Sequence, residues 1–123
     1  MTCLEIYDVA LRYIFEKSKT EYQNFYIPFL NLISAECFAL NNFIRQSKGL
    51  EELTEIPQYA LDEDVVVYEE ELTKEVLPLG LASHIAKEDE QEIYNVYIQM
   101  YEVAKARLIS QSKVILKEIE RVY

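Results

Sequence analysis

Apolar residues recur at helical spacing over most of the chain. Leu4, Tyr7, Leu11, Ile14 and Phe15 fall on one face of a helix predicted over residues 3–17. Ile6, Val9, Ala10 and Tyr13 make its other side apolar as well. A helix that is apolar nearly all round must be covered on both sides. In so short a chain the second cover is expected from another subunit. A second helix is predicted from Thr20, as N-cap, to about Lys48, with Glu21 in its first turn. Its stripe is Phe25, Phe29, Ile33, Cys37, Leu40 and Ile44, with Glu36 at the edge, read as a salt-bridged or snorkelling residue in preference to a buried functional carboxylate. Pro28 falls inside this pattern and either kinks the helix or marks its true start. Gly49 reads as the terminating residue.

The pattern breaks over residues 50–66. Leu53, Ile56, Tyr59 and Leu61 keep neither helix nor strand period, Pro57 interrupts any helix, and Asp62-Glu63-Asp64 reads as an acidic turn. Val65–Tyr68 has the composition of a short extended stretch. A connection this long is expected to be functional or a docking arm. Helical spacing returns at residues 69–86, with Leu72, Val76, Leu79 and Ile85 on the buried side and Glu69–Glu71 favourable in the first turn. Inside this helix stands Pro78-Leu79-Gly80. Proline and glycine cost roughly 3 and 1 kcal/mol against alanine in a helix interior. Packing must therefore require a kink or a close approach of backbones there.

After a predicted loop over residues 87–90, one helix runs to the end, with Ile93, Tyr97, Met100 or Tyr101, Ala104, Leu108, Gln111, Ile115 and Ile119 as its stripe. At 1.5 Å per residue it is roughly 45–50 Å long, more than the rest of the chain can cover. The expected fold is all-α: a four-helix small bundle with a kinked third helix, a long projecting C-terminal helix and an irregular 50–66 connection. It forms one domain over residues 1–123, with the bundle in 1–109 and the projecting helix in 110–123.

Composition agrees with this. Half of the 123 residues are apolar, and two glycines and three prolines are too few for a turn-rich β fold. No run of 18 apolar residues is present, so no membrane span is expected. The N-terminus carries Glu5 and Asp8 and no basic region, unlike a secretory signal. Cys3 and Cys37 have no metal spacing and are expected as reduced, packed thiols. The net charge of −10 argues against a general nucleic-acid binder. The charge is polarised: residues 104–123 hold five basic and two acidic side chains, a net of +3, leaving −13 on the remainder. Two readings of this are open, a basic last turn that complements the helix dipole and a head-to-tail pairing with another copy.

Signals for catalysis are absent from the sequence. There is no phosphate loop, no dinucleotide glycine motif and no HExxH. The only histidine, His84, has no partner in sequence and reads as a surface or interface residue; Ser83 and Cys37 would join it only by tertiary placement. The acidic runs Glu51-Glu52, Glu69–Glu71 and Glu88–Glu90 read as solvated surface. No catalytic residue, metal ligand or cofactor is expected, and the chain is not expected to be an enzyme. Ten tyrosines with no tryptophan is an unusual balance. Tyr94, Tyr97 and Tyr101 share one helix side, which suits either a half-buried interface or a wet-edged core.

The segment from Tyr68 to Ala106 resembles the small head–tail connector proteins of tailed bacteriophages, also called adaptor or head-completion proteins. The resemblance rests on Val67-Tyr68-Glu69-Glu70, then Leu77-Pro78-Leu79-Gly80-Leu81-Ala82, then Glu88-Asp89-Glu90, then the aromatic-rich helix ending Tyr101-Glu102-Val103-Ala104. Asn31 and Glu36 in the second helix, the Leu53–Asp64 connection and the terminal Glu120-Arg121-Val122-Tyr123 are similar in kind. The family often has an aromatic where this chain has Leu79.

The resemblance implies a virion structural protein at the head–tail interface, present in the host cytoplasm during assembly. It implies a homo-oligomeric ring, of twelve copies, below the portal protein, extending the DNA channel and docking the next neck or tail-completion protein. DNA would pass without specific binding and no membrane would be involved. In that role Pro78, Leu79, Gly80, Leu81, Tyr94, Tyr97 and Tyr101 are the expected subunit interface, and Lys113, Lys117, Arg121, Val122 and Tyr123 the portal or partner contact. The alternatives are another neck or tail-completion ring protein, or a small regulatory, antitoxin-like helical dimer.

Overall fold

The computed structural model describes residues 1–14, 23–89 and 91–122. Among them are four helices and no strand: α1 (Cys3–Tyr13), α2 (Tyr26–Ser47), α3 (Leu77–Asp89, entered through a π-helical turn at Leu72–Val76) and α4 (Gln91–Val122). The all-α fold expected from the apolar spacing is observed.

α1 starts at a capping box. The Thr2 side chain accepts from the Glu5 N–H, and the Glu5 carboxylate accepts from the Thr2 N–H at 3.1 Å. Cys3, Ile6, Tyr7, Ala10 and Leu11 are buried. Its second cover comes from the same chain. One side packs on α3, while the N-terminus pairs with the connection: Cys3 N–H donates to Asp64 O, Leu4 N–H to Asp62 O and Val66 N–H to Met1 O. The predicted end of this helix, with Phe15, and the predicted cap Thr20 with Glu21 lie outside the described residues.

α2 begins at Tyr26, not Thr20. Pro28 therefore stands in the first turn, where the N–H it lacks has no intrahelical partner anyway. The stripe is rotated accordingly: Tyr26, Leu30, Ile33, Cys37, Leu40 and Ile44 are buried, while Phe25 is exposed. The ring of Tyr26 stacks on Tyr7, centroids 4.3 Å apart. α2 is also long and apolar enough to cross a membrane by length and composition alone, contrary to the expectation that no stretch of the chain is. Its buried residues nonetheless belong to the bundle's core cluster, and three of its asparagines bond the connection.

Those asparagines give the 50–66 connection its path. Asn42 donates to Leu53 O and accepts from Leu53 N–H, at 3.1 and 2.8 Å. Asn31 makes the same pair with Tyr59, at 3.0 and 2.8 Å. Each side-chain amide offers a donor and an acceptor in one plane, so each replaces the neighbour strand the segment lacks. The chain thus descends α2 from Asn42 to Asn31 and passes α1, where Thr2 and Val65 form an isolated bridge. It then climbs back to Asn41, whose side-chain Oδ1 accepts from the Glu69 N–H at 2.8 Å. The extended stretch predicted at Val65–Tyr68 amounts to that one bridge.

The third helical segment, 70–89, is the centre of the bundle. It touches α1, α2 and α4, and residues 76–83 are all buried. That all-round burial explains its weak amphipathic pattern. Helix 70–89 carries one widened turn before Pro78: Leu77 N–H bonds Leu72 O, five residues back. A π turn shifts the carbonyls that a following proline ring would otherwise strike. The predicted kink is thus a π-bulge over Leu72–Val76, with Pro78 and Gly80 helical just beyond it. α3 continues to Asp89, through most of the predicted 87–90 loop.

α4 runs antiparallel to this helix, since Gly80 meets Tyr101 and Glu75 meets Arg107. Its buried positions are Tyr101, Ala104, Leu108 and Ser112. Of the alternatives Met100 and Tyr101 the buried one is Tyr101, while Gln111 and Ile115, assigned to the stripe from sequence, are exposed. The apolar residues follow a repeat slightly too short for a straight helix, so the facing residue falls one position later along the helix. Coverage by the bundle reaches Ser112, three residues beyond the boundary expected at 109.

Candidate interaction surface

The expected subunit interface divides in two. Pro78, Leu79, Gly80 and Leu81 are buried inside the chain, so they form this chain's core and present no surface to a neighbour. Tyr101 is buried with them: its hydroxyl lies 3.4 Å from Cys37 Sγ, and Lys105 Nζ stands 4.2 Å over its ring. Burial, with Cys37 beside it, pushes the Tyr101 phenol well above its ordinary value. Cys37 is raised as well, by burial that outweighs the Tyr101 hydrogen bond and Lys105. Tyr97 is half-buried and its hydroxyl donates to Tyr13 O, joining α4 to the end of α1. Tyr94 is half-buried on the same helix. The tyrosine side read from sequence is thus mainly an intramolecular seam.

Of the expected partner contacts, Lys113 and Lys117 are exposed on the distal part of α4. Arg121 and Val122 belong to the last turn of that helix, and Tyr123 lies outside the described residues.

Among the described residues, Ser83, His84 and the two cysteines each have separate surroundings. The Ser83 hydroxyl donates to Gly80 O at 2.7 Å within its own helix. The His84 ring stacks on Phe29, centroids 5.4 Å apart. Cys3 is pushed up to about 11 by burial and by Asp64 and Asp62, so its thiol stays protonated. Among the described residues, no group of three or more His, Cys, Asp or Glu is placed to hold a metal ion.

The Glu69–Glu71 run is not plain solvated surface. Arg45 bonds Glu69 at 3.1 Å, and Lys48 bonds Glu69 at 3.2 Å and Glu71 at 2.8 Å. Burial would lower the Lys48 ammonium, but Glu71 and Glu69 outweigh it and hold it above its ordinary value. The end of α2, which favours cations, thereby meets the start of the third helical segment, which favours anions.

Among the described residues, two apolar surfaces flank α4. On one flank, Ala39, Leu40 and Phe43 of α2 and Ala106 and Ile109 of α4 line a groove rimmed by Glu36, Glu102, Lys105 and Lys113. On the other, Val96, Met100 and Val103 stand beside Leu79 and the Glu75–Arg107 pair. Further along α4, Val114 and Ile115 are exposed. Sequence reasoning passed over Val96, Val103 and Val114 because it placed the stripe by its best-matching residues. The signal was there in a second apolar series at the same helical period. No protein-family model, no curated protein and no solved structure matches this chain.

Proposed function

We propose that the chain is a structural subunit of a tailed-phage virion: a head–tail connector whose copies form a ring below the portal, extend the DNA channel and dock the next neck or tail protein. The observation that carries this reading is α4. It leaves the bundle after Ser112 with Val114 and Ile115 exposed, and it offers apolar surface on both flanks where Ala106, Ile109, Val96 and Val103 lie. An exposed apolar series continued along one helix suits an assembly partner. The acidic remainder of the chain suits a channel along which DNA slides without being held.

The small helical dimer is the second reading, favoured by the opposite charges at the two ends of α4. Mass spectrometry of purified virions separates them, since a connector is present in every mature particle and a regulatory dimer is absent. Removing residues 113–123 tests the docking role. The connector reading expects a chain that still folds by circular dichroism and no longer joins heads; attachment that survives the truncation refutes it.

A further inference from the structure

We infer that the exposed stripe of α4 is the seat of a second copy of this chain, with the two α4 helices antiparallel about a two-fold axis near residue 105. The stripe consists of Val96, Met100, Val103 and Val114, exposed by 55, 43, 60 and 57 %. Val96 and Val114 are five helical turns apart, about 27 Å at 1.5 Å per residue, and lie on the same line of the helix. Arg107 is the one charge on that line between them, and Glu75 neutralises it.

Charge selects the occupant and its direction. Gln91–Glu102 carries two acidic residues and no basic one, whereas 103–122 carries five basic and two acidic. A parallel copy would set like ends together, and an antiparallel one sets opposite ends together. In the antiparallel register Val96 faces Val114 of the copy, Met100 faces Ser110 and Val103 packs on the Arg107 stem. The same flank of each helix meets its counterpart in such a pair. Glu92 and Lys117, both exposed, lie on one flank, so Glu92 of each copy reaches Lys117 of the other. A two-fold contact closes on itself. It is the form of the free chain, and it stands whether or not the connector reading does.

Sedimentation equilibrium of the full chain tests it, together with disulfide trapping between Val96→Cys and Val114→Cys chains mixed in equal amounts. The native Cys3 and Cys37 are buried and do not compete. The expected result is a dimer mass and a 96–114 link, with neither single variant linking to itself. Lys117→Glu is expected to weaken the dimer about 10-fold, two symmetric surface ion pairs being lost, and adding Glu92→Lys to restore it. A monomer at all concentrations overturns the inference. So does a dimer or larger assembly that links 96 to 96, or that is indifferent to both charge changes.

Discussion

Gly80 lies directly under the ring of Tyr101. A Cβ at Gly80 would stand 2.8 Å from Tyr101 Cε2 and 3.1 Å from Ile33 Cγ2. The glycine is helical, with no positive φ, so its purpose is room and not backbone freedom. α2 and α4 both close on the central helix at this point, and the ring they share is fixed by its contact with Cys37.

Gly80→Ala is therefore expected to destabilise the fold. Overpacking a filled core costs about 1–3 kcal/mol, and alanine returns about 1 kcal/mol of helix propensity, leaving a net loss of about 1–2 kcal/mol. Urea denaturation at constant m-value measures it. In a Tyr101→Leu background the added methyl has space, and the same substitution should cost less. Equal costs in both backgrounds would show that Tyr101 does not set the requirement.

Asn31→Ala and Asn42→Ala remove a donor–acceptor pair from the backbones of Tyr59 and Leu53 respectively. A loss of about 1–3 kcal/mol is expected for each, the range for unmet buried groups. Hydrogen exchange should localise it, with protection lost around Tyr59 for the first and around Leu53 for the second. Unchanged exchange in the connection would contradict the strap geometry.

These asparagines mark the limit of what the chain discloses on reading. Helix existence was legible because Ile33, Cys37 and Ile44, or Tyr101, Ala104 and Leu108, keep the period that burial demands. The path of residues 50–66 was not, because it is set by side chains 11 and 28 residues away, at Asn42 and Asn31. Asn41-Asn42, two poor helix formers in mid-helix, was the available hint. The π turn was also silent, since one extra residue in a buried helix leaves no polar trace. The Pro78–Leu81 segment read as an anomaly for good reason, but its cause is the chain's own core.

Acid should loosen the N-terminal latch, formed by the Thr2–Glu5 capping box and the 60–64 turn whose Asp64 carbonyl accepts from the Cys3 N–H. Backbone N–H groups of Ala60 and Leu61 hold Asp64 below the ordinary carboxylate value, and the Thr2 backbone and side chain do the same for Glu5. A carboxyl depressed on folding stabilises the native state above its unfolded pKa, and that contribution is lost as pH falls through the lower folded value. NMR titration should give midpoints for Glu5 and Asp64 below the ordinary values of glutamate and aspartate side chains. Exchange at Ala60 and Leu61, corrected for intrinsic rate, should rise as Asp64 protonates. An Asp64 midpoint at the ordinary value would remove the latch.

Adjacent glutamates should behave differently. Glu69 and Glu70 are indistinguishable in the run Glu69–Glu71, yet the Glu69 side chain is 15 % exposed and shared by Arg45 and Lys48, while Glu70 is 70 % exposed and pairs with the exposed Lys74. An exposed i,i+4 pair contributes about 0.3–0.5 kcal/mol and is screened by salt. Glu69 also starts the helix, and its N–H is held by Asn41, so its carboxylate fixes the corner between α2 and the central helix. Glu69→Gln is expected to cost about 1 kcal/mol or more and Glu70→Gln about half a kcal/mol or less, in parallel thermal melts. Arg45→Met should lose the Glu69-dependent part of its cost in the Glu69→Gln background and keep the part owed to the Nε–H bond that Arg45 donates to Glu51 O, as a double-mutant cycle would read.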